Sequence, residues 1–170
     1  MSYSVSMETR YTIGVIGFGI MGSGMAVNLA RRGHTVLGYS RSMHKVEALA
    51  SSGITSASLD EIAARCEVVL LSLTDGTAVH SVLFGEGGLA PHLNPGTLLI
   101  DTTTIAPSEA VTAHDKAAEY GLPFIDAPVT GGDVGARNGT LTIMCGGRKE
   151  AYTQAAPVLE CIGAKIVYVG

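Results

Sequence analysis

Short aliphatic and β-branched runs alternate with amphipathic stretches along nearly the whole chain. Residues 12–16 (TIGVI), 35–39 (TVLGY), 68–73 (VVLLSL), 97–100 (TLLI), 122–125 (LPFI), 140–144 (TLTIM) and 165–169 (KIVYV) read as strands. Apolar runs this short, bounded by turn residues, suit a buried sheet. Between them the pattern turns helical. Met21, Met25 and Leu29 lie four apart in a helix predicted over 21–32, with Gly33 as its stop. A second helix is expected over 42–51, ended by Gly53, and a third opens on a capping box at Ser58 and Glu61. Further helices are expected over 77–84, over 107–120 with Pro107 in the first turn, and over 148–161 with a distortion at Pro157. A glycine-rich loop fills the space before residue 140. Repeated βα units imply an α/β, Rossmann-like, doubly wound and mostly parallel sheet.

The chain has 170 residues, 46% hydrophobic and 15% charged, with 22 glycines and a net charge of -4. A disordered chain needs the opposite balance, and a general nucleic-acid binder needs a basic one. No internal linker interrupts the pattern, so residues 11–170 are expected to form one domain behind a flexible leader, residues 1–10. Residues 11–30 carry no charge, but five glycines make them too polar for a membrane span. The leader has no apolar core and is no signal peptide. Cys66, Cys145 and Cys161 are too few and too scattered for a disulfide framework or a zinc site, which fits a reducing cytoplasm and no metal.

The candidate chemistry begins at Gly17-Phe18-Gly19-Ile20-Met21-Gly22. This G-x-G-x-x-G follows a predicted strand and opens a predicted helix, the context that a dinucleotide fingerprint requires. Gly17 permits the tight turn, Gly19 lets backbone approach a pyrophosphate, and Gly22 lets helix pack on strand. An NAD site would place a carboxylate at the end of the second strand. Here stand Tyr39, Ser40, Arg41 and Ser42, with Lys45 a turn later and no carboxylate between Gly33 and Glu47. Arg41 can pair with a 2′-phosphate and a serine hydroxyl can support it, so the expected cofactor is NADP(H).

Residues 17–42, GFGIMGSGMAVNLARRGHTVLGYSRS, resemble the N-terminal signature of the β-hydroxyacid dehydrogenase family. That family includes 3-hydroxyisobutyrate dehydrogenase, tartronate semialdehyde reductase and 6-phosphogluconate dehydrogenase. Residues 101–107 (DTTTIAP) are similar to its D-x-S-T-x-x-P, and residues 126–132 (DAPVTGG) to its substrate loop D-A-P-V-S-G-G. Thr103 and Thr130 stand where serine is usual. Successive glycines in such a loop can form an anion-binding nest or a plain turn. The resemblance implies that Thr130, Gly131 and Gly132 hold a small carboxylate substrate. It also implies that Leu73 and Thr74 flank the adenosine side and that Thr104 faces the nicotinamide ribose. Read locally, Thr104 could equally cap the helix at Pro107.

Hydride transfer to a carbonyl needs a proton donor. The family resemblance implies a lysine in G-x-G-x-x-x-K, expected beyond Gly170 together with an all-helical domain that forms the homo-oligomer. Lys116, Lys149 and Lys165 do not match it, and none of the five histidines pairs with an acid at a recognisable spacing. The resemblance therefore implies the NADP-binding domain of an oxidoreductase acting on the CH–OH group of a small 3-hydroxy acid, or reducing its semialdehyde. The 170-residue chain alone is expected to be inactive. An imine-reductase-like relative and a non-catalytic NADP-binding module or scaffold are the alternatives.

Overall fold

A computed structural model describes residues 9–170; of the expected leader only Thr9 and Arg10 fall within it. The elements in chain order begin with β1 (Thr12–Ile16), α1 (Ile20–Arg31), β2 (Thr35–Tyr39), α2 (Met43–Glu47), β3 (Ile54–Ser56), α3 (Leu59–Arg65), β4 (Val68–Leu71) and α4 (Gly76–Phe84). They continue with β5 (Leu98–Asp101), α5 (Pro107–Glu119), β6 (Phe124–Asp126), β7 (Val129–Thr130), α6 (Gly132–Asn138), β8 (Leu141–Gly147), α7 (Lys149–Ile162) and β9 (Gly163–Tyr168). Strands β3-β2-β1-β4-β5-β6 run parallel in that spatial order. β6 and β7 both pair antiparallel with β8 in one continuous register, bridged by the Met144 N–H to Pro128 carbonyl bond of 3.1 Å. β9 lies parallel on the other side of β8.

Alternate side chains on each strand enter opposite cores, as the pleat requires. Ile13, Val15, Val68, Leu70, Leu98, Ile100 and Ile125 pack under α1, α2, α6 and α7. Leu37, Val69, Leu71, Leu99 and Phe124 pack under α3, α4 and α5. The expected doubly wound sheet is therefore present, with its helices split between two faces.

Several elements differ from the sequence reading, among them the two-residue β7, which lies inside the expected substrate loop. The helix expected over 42–51 stops at Glu47 and is followed by a 3-10 turn, Ala50–Ser52, before Gly53 at φ +90°. β3 was not anticipated, because only Ile54 of its three residues is buried and the run has no periodicity. α6 replaces much of the expected loop despite two glycines in seven residues. Tertiary bonds hold it: Asn28 of α1 donates to the carbonyls of Ala136 (2.7 Å) and Arg137 (3.0 Å), satisfying groups at the helix end. The Ser58–Glu61 capping box forms as expected, and α7 continues through Pro157.

Candidate functional site

The parallel strands bring their C-terminal ends to one edge of the sheet, where α/β folds bind ligands. Gly17 leaves β1 at φ +102° and donates its N–H to the Tyr39 carbonyl at 3.0 Å. A Cβ on Gly17 would strike the Ser72 carbonyl, and one on Gly22 would strike the Gly17 carbonyl. Both glycines are thus imposed by close packing. Gly19 is different: nothing lies within 4 Å of where its Cβ would be. It is the N-cap of α1, with no side-chain cap and no acidic residue in the first turn. The first helical bond is Ser23 N–H to Gly19 carbonyl, 3.0 Å. Helix geometry therefore leaves the N–H groups of Ile20, Met21 and Gly22 without intrahelical partners. An open Gly19 beside an uncapped helix start fits a pyrophosphate. The side chain of Phe18 is turned into the core, while Ile20 is 70% exposed and Met21 half-buried.

At the end of β2, the Ser42 N–H donates to Ser40 Oγ at 3.3 Å, closing a tight turn that leaves Arg41 exposed. Among the described residues Arg41 makes no ion pair. Lys45 lines a cleft of about 950 Å³ together with Gly19 and Ile20 of the fingerprint and Asp133 and Arg137 of α6. That cleft places the start of α6, and hence the Gly131-Gly132 loop, beside the fingerprint.

Leu73 and Thr74 follow β4. The Leu73 N–H donates to Thr103 Oγ1 at 3.0 Å, so the hydroxyl of Thr103 ties the β4 and β5 ends together. Thr74 is exposed beside Asp75, whose carboxylate caps α4 at Ala78 N–H, 2.8 Å. Thr104 is exposed but does not cap α5. The N-cap is Ala106, whose own N–H is held by Glu109 at 2.8 Å, because the chain runs extended through Ile105 before Pro107 starts the helix. Thr104 is thus free of a capping role.

Thr130 ends β7 and is exposed, as are Gly131 and Gly132. Gly131 has φ +131° and Gly132 φ +64°, conformations that favour glycine, and a Cβ on Gly132 would meet nothing. Thr130 pairs with Thr142, which pairs in turn with Lys165 on β9. Two strand spacings, about 10 Å, separate the backbones of Lys165 and Thr130. Lys116 instead contacts His80 at 2.9 Å, and Lys149 sits over the rings of Tyr152 and Tyr168 at 4.8 and 4.4 Å.

The sequence reading passed over Asp101 and Asp126 as site residues. They close β5 and β6 as register partners. Asp101 is fully buried. Both carboxyls are pushed up to about 6, chiefly by burial; at Asp101 the Thr103 hydrogen bonds oppose the rise and the charge of Asp126 adds to it. The two motif matches that begin with these aspartates were the available signal. Burial pushes the Cys66 and Cys145 thiols up to about 11, which makes them inert packing groups. No group of three metal-ligating side chains exists among the described residues. No helix among them is long and apolar enough to cross a membrane.

The family model of the NAD binding domain of 6-phosphogluconate dehydrogenase matches residues 12–170. The chain belongs to that family. An uncharacterized oxidoreductase of Synechocystis is 42% identical over 161 residues, covering 93% of this chain and 56% of the relative. The 2-(hydroxymethyl)glutarate dehydrogenase of Eubacterium barkeri is 36% identical over 96% of this chain and 55% of its own length. A Mycobacterium tuberculosis 3-hydroxyisobutyrate dehydrogenase structure with L-serine superposes with a TM-score of 0.88 at 34% identity, over 94% of this chain and 54% of that one. The chain thus spans about half the length of the relatives it matches. The matched region is an NAD(P)-binding domain, and its fold superposes on that of a 3-hydroxyisobutyrate dehydrogenase.

Proposed function

We propose that the chain is the NADP(H)-binding half of an oxidoreductase acting on the CH–OH group of a small 3-hydroxy acid, or reducing its semialdehyde. The observation that carries this reading is the uncapped start of α1 under an open Gly19, with Arg41 unpaired at the end of β2. The N–H groups of residues 20–22 hold the pyrophosphate and Arg41 the 2′-phosphate, with Ser40, Ser42 and Lys45 supporting it. The cofactor supplies or accepts the hydride. Leu73 and Thr74 flank the adenosine side and Thr104 the nicotinamide ribose. The Thr130 hydroxyl and the N–H groups of Gly131 and Gly132 hold the substrate carboxylate.

The alkoxide proton requires a group poised at the reacting oxygen. Lys116 and Lys149 are engaged elsewhere, and Lys165 stands within β9, ahead of where the family motif places its lysine. The proposed donor is a lysine outside these 170 residues, in the part that also forms the homo-oligomer. The cytoplasm is the proposed compartment, consistent with three buried free thiols.

Titration of the chain with NADPH and with NADH tests the cofactor reading. NADPH is expected to bind at least about tenfold tighter, the worth of one charge-assisted contact. Equal or reversed affinities overturn it. Steady reduction of NADP by this chain with small hydroxy acids would overturn the placement of the proton donor.

A further inference from the structure

Two carboxylates, Asp101 fully buried and Asp126 half-buried, remain outside every role assigned above. Asp101 and Asp126 are register partners on neighbouring parallel strands. Asp101 shares strand parity with Leu99, and Asp126 with Phe124, so both side chains fall on the face covered by α5. Neighbouring strands lie about 4.8 Å apart, which sets the two side chains next to each other. Asp101 Oδ1 accepts the Thr103 N–H at 3.0 Å, but Asp101 Oδ2 and Asp126 Oδ1 are buried with no hydrogen-bond partner. Among the described residues neither carboxylate makes an ion pair.

The other ionisable groups around the pair do not neutralise it. On α5, Glu109 is turned to its own helix start and His114 lines a cavity shared with Asp126. On the β8 side, Arg148 lines that same cavity, and the thiol of Cys145 stays protonated. Two adjacent carboxylates whose facing oxygens are shut off from solvent cannot both ionise cheaply, and one proton between them satisfies both unpartnered oxygens at once.

We propose that Asp101 and Asp126 hold one proton between them, Asp101 Oδ2 to Asp126 Oδ1, and that this bond positions the two loops carrying the candidate cofactor and substrate residues. From Asp101 the connection runs through the Thr103 N–H, then from Thr103 Oγ1 to the Leu73 N–H, ahead of Thr74. The Asp101 carbonyl also accepts the Ala127 N–H at 2.7 Å, at the root of the loop that leads to Thr130. Asp101 is thus a positioning residue at the junction of β4, β5 and β6. When the shared proton leaves to solvent at higher pH, two like charges face each other and the strand ends separate. What these loops hold rests on the function proposed above; the shared proton does not.

The test needs no ligand. The whole chain, with ¹³C-labelled aspartate, is titrated by NMR between about pH 4 and 9. The two carboxyls are expected to move together in two steps separated by more than about one pH unit, with the upper step above 6. Asp126→Asn is expected to lower the Asp101 titration by about one pH unit or more, since an amide donor favours the ionised partner. Independent single-step titrations, with Asp101 unmoved by Asp126→Asn, overturn the shared proton. For positioning, the exchange protection factors of the Leu73 and Thr103 amides are expected to fall about threefold or more through the upper step. In Asp126→Asn they are expected to stay flat. Protection that ignores pH in the unsubstituted chain overturns the positioning role, and that reading stands even where Asp126→Asn does not fold. Failure of the chain to bind NADPH would refute the cofactor reading alone, leaving these two readouts to decide the pair.

Discussion

The two ends of the sheet both present backbone N–H groups beside glycines, but they are built differently. At the β1–α1–β2 end, Gly17 and Gly22 are jammed against backbone carbonyls of the same turn and of the adjoining β4 end. At the β6–β8 end, Gly132 lies in open space, and a Cβ on Gly131 would press only on the end of the Leu141 side chain, at 3.3 Å. That loop is shaped by its pairing with β8 and by α6 docking on α1, where Gly24 meets the Ala136 backbone and Asn28 holds the end of α6. A candidate cofactor cradle made by local packing is rigid wherever its motif is intact. A candidate substrate loop made by distant contacts keeps its shape only while those contacts hold.

Gly22→Ala is the largest test of this contrast. Its Cβ would collide with the Gly17 carbonyl, and overpacking against backbone is expected to cost about 3 kcal/mol or more. Urea unfolding reads it; a loss below about 1 kcal/mol would mean that the turn yields and the cradle is not rigid.

The seam between the two ends, Asp101 beside Asp126, gives the next effect. Both carboxyls sit near 6 in the fold against an ordinary 3.8. The folded chain therefore binds these protons more tightly than the unfolded one. The stability they contribute is full below about pH 4 and is lost as pH rises through about 6. For the fully buried Asp101 this amounts to roughly 2–3 kcal/mol. The urea midpoint is expected to be higher near pH 5 than at neutral pH, and Asp101→Asn to flatten the slope. A midpoint indifferent to pH in the unsubstituted chain would count against buried carboxyls at the seam.

Arg41→Ala sharpens the comparison without touching the fold, since the side chain is exposed. NADPH affinity is expected to fall about 10–100-fold with NADH affinity little changed, as removal of a charge-assisted contact predicts. An equal loss for both dinucleotides would move Arg41 away from the 2′-phosphate. The smallest effect belongs to Gly132→Ala. Its Cβ meets no atom, so only the φ of +64° is strained, at a cost of about 1 kcal/mol in thermal or urea unfolding. A cost as large as that of Gly22→Ala would erase the difference between the two ends.

Legibility in the sequence follows the same division. The TIGVI strand, the fingerprint, the Ser58–Glu61 cap and the helix start at Pro107 were readable because each is specified within a few residues. β3 was hidden because a single buried residue leaves no period to detect. α6 was hidden because GDVGARN carries poor helix formers and owes its form to Asn28, more than a hundred residues earlier. The reading of Thr104 as a cap failed because Glu109 reaches back to Ala106 instead. The candidate cofactor residues were visible as a motif, whereas Asp101 and Asp126 showed only as the first letters of two matches. Their adjacency requires β5 and β6 to be neighbours in register.

The sequence by itself determined the alternation of strand and helix and the glycine turn after β1, because apolar period and backbone sterics act over a few residues. It also determined the cationic end of β2, where Arg41 stands and no carboxylate lies between Gly33 and Glu47. Only the tertiary structure decided that β6 and β7 share one register on β8, that α6 forms at all, and that two carboxylates from different strands lie side by side. Those outcomes depend on which strands become neighbours, a choice made by packing two helical layers against one sheet rather than by any local run of residues.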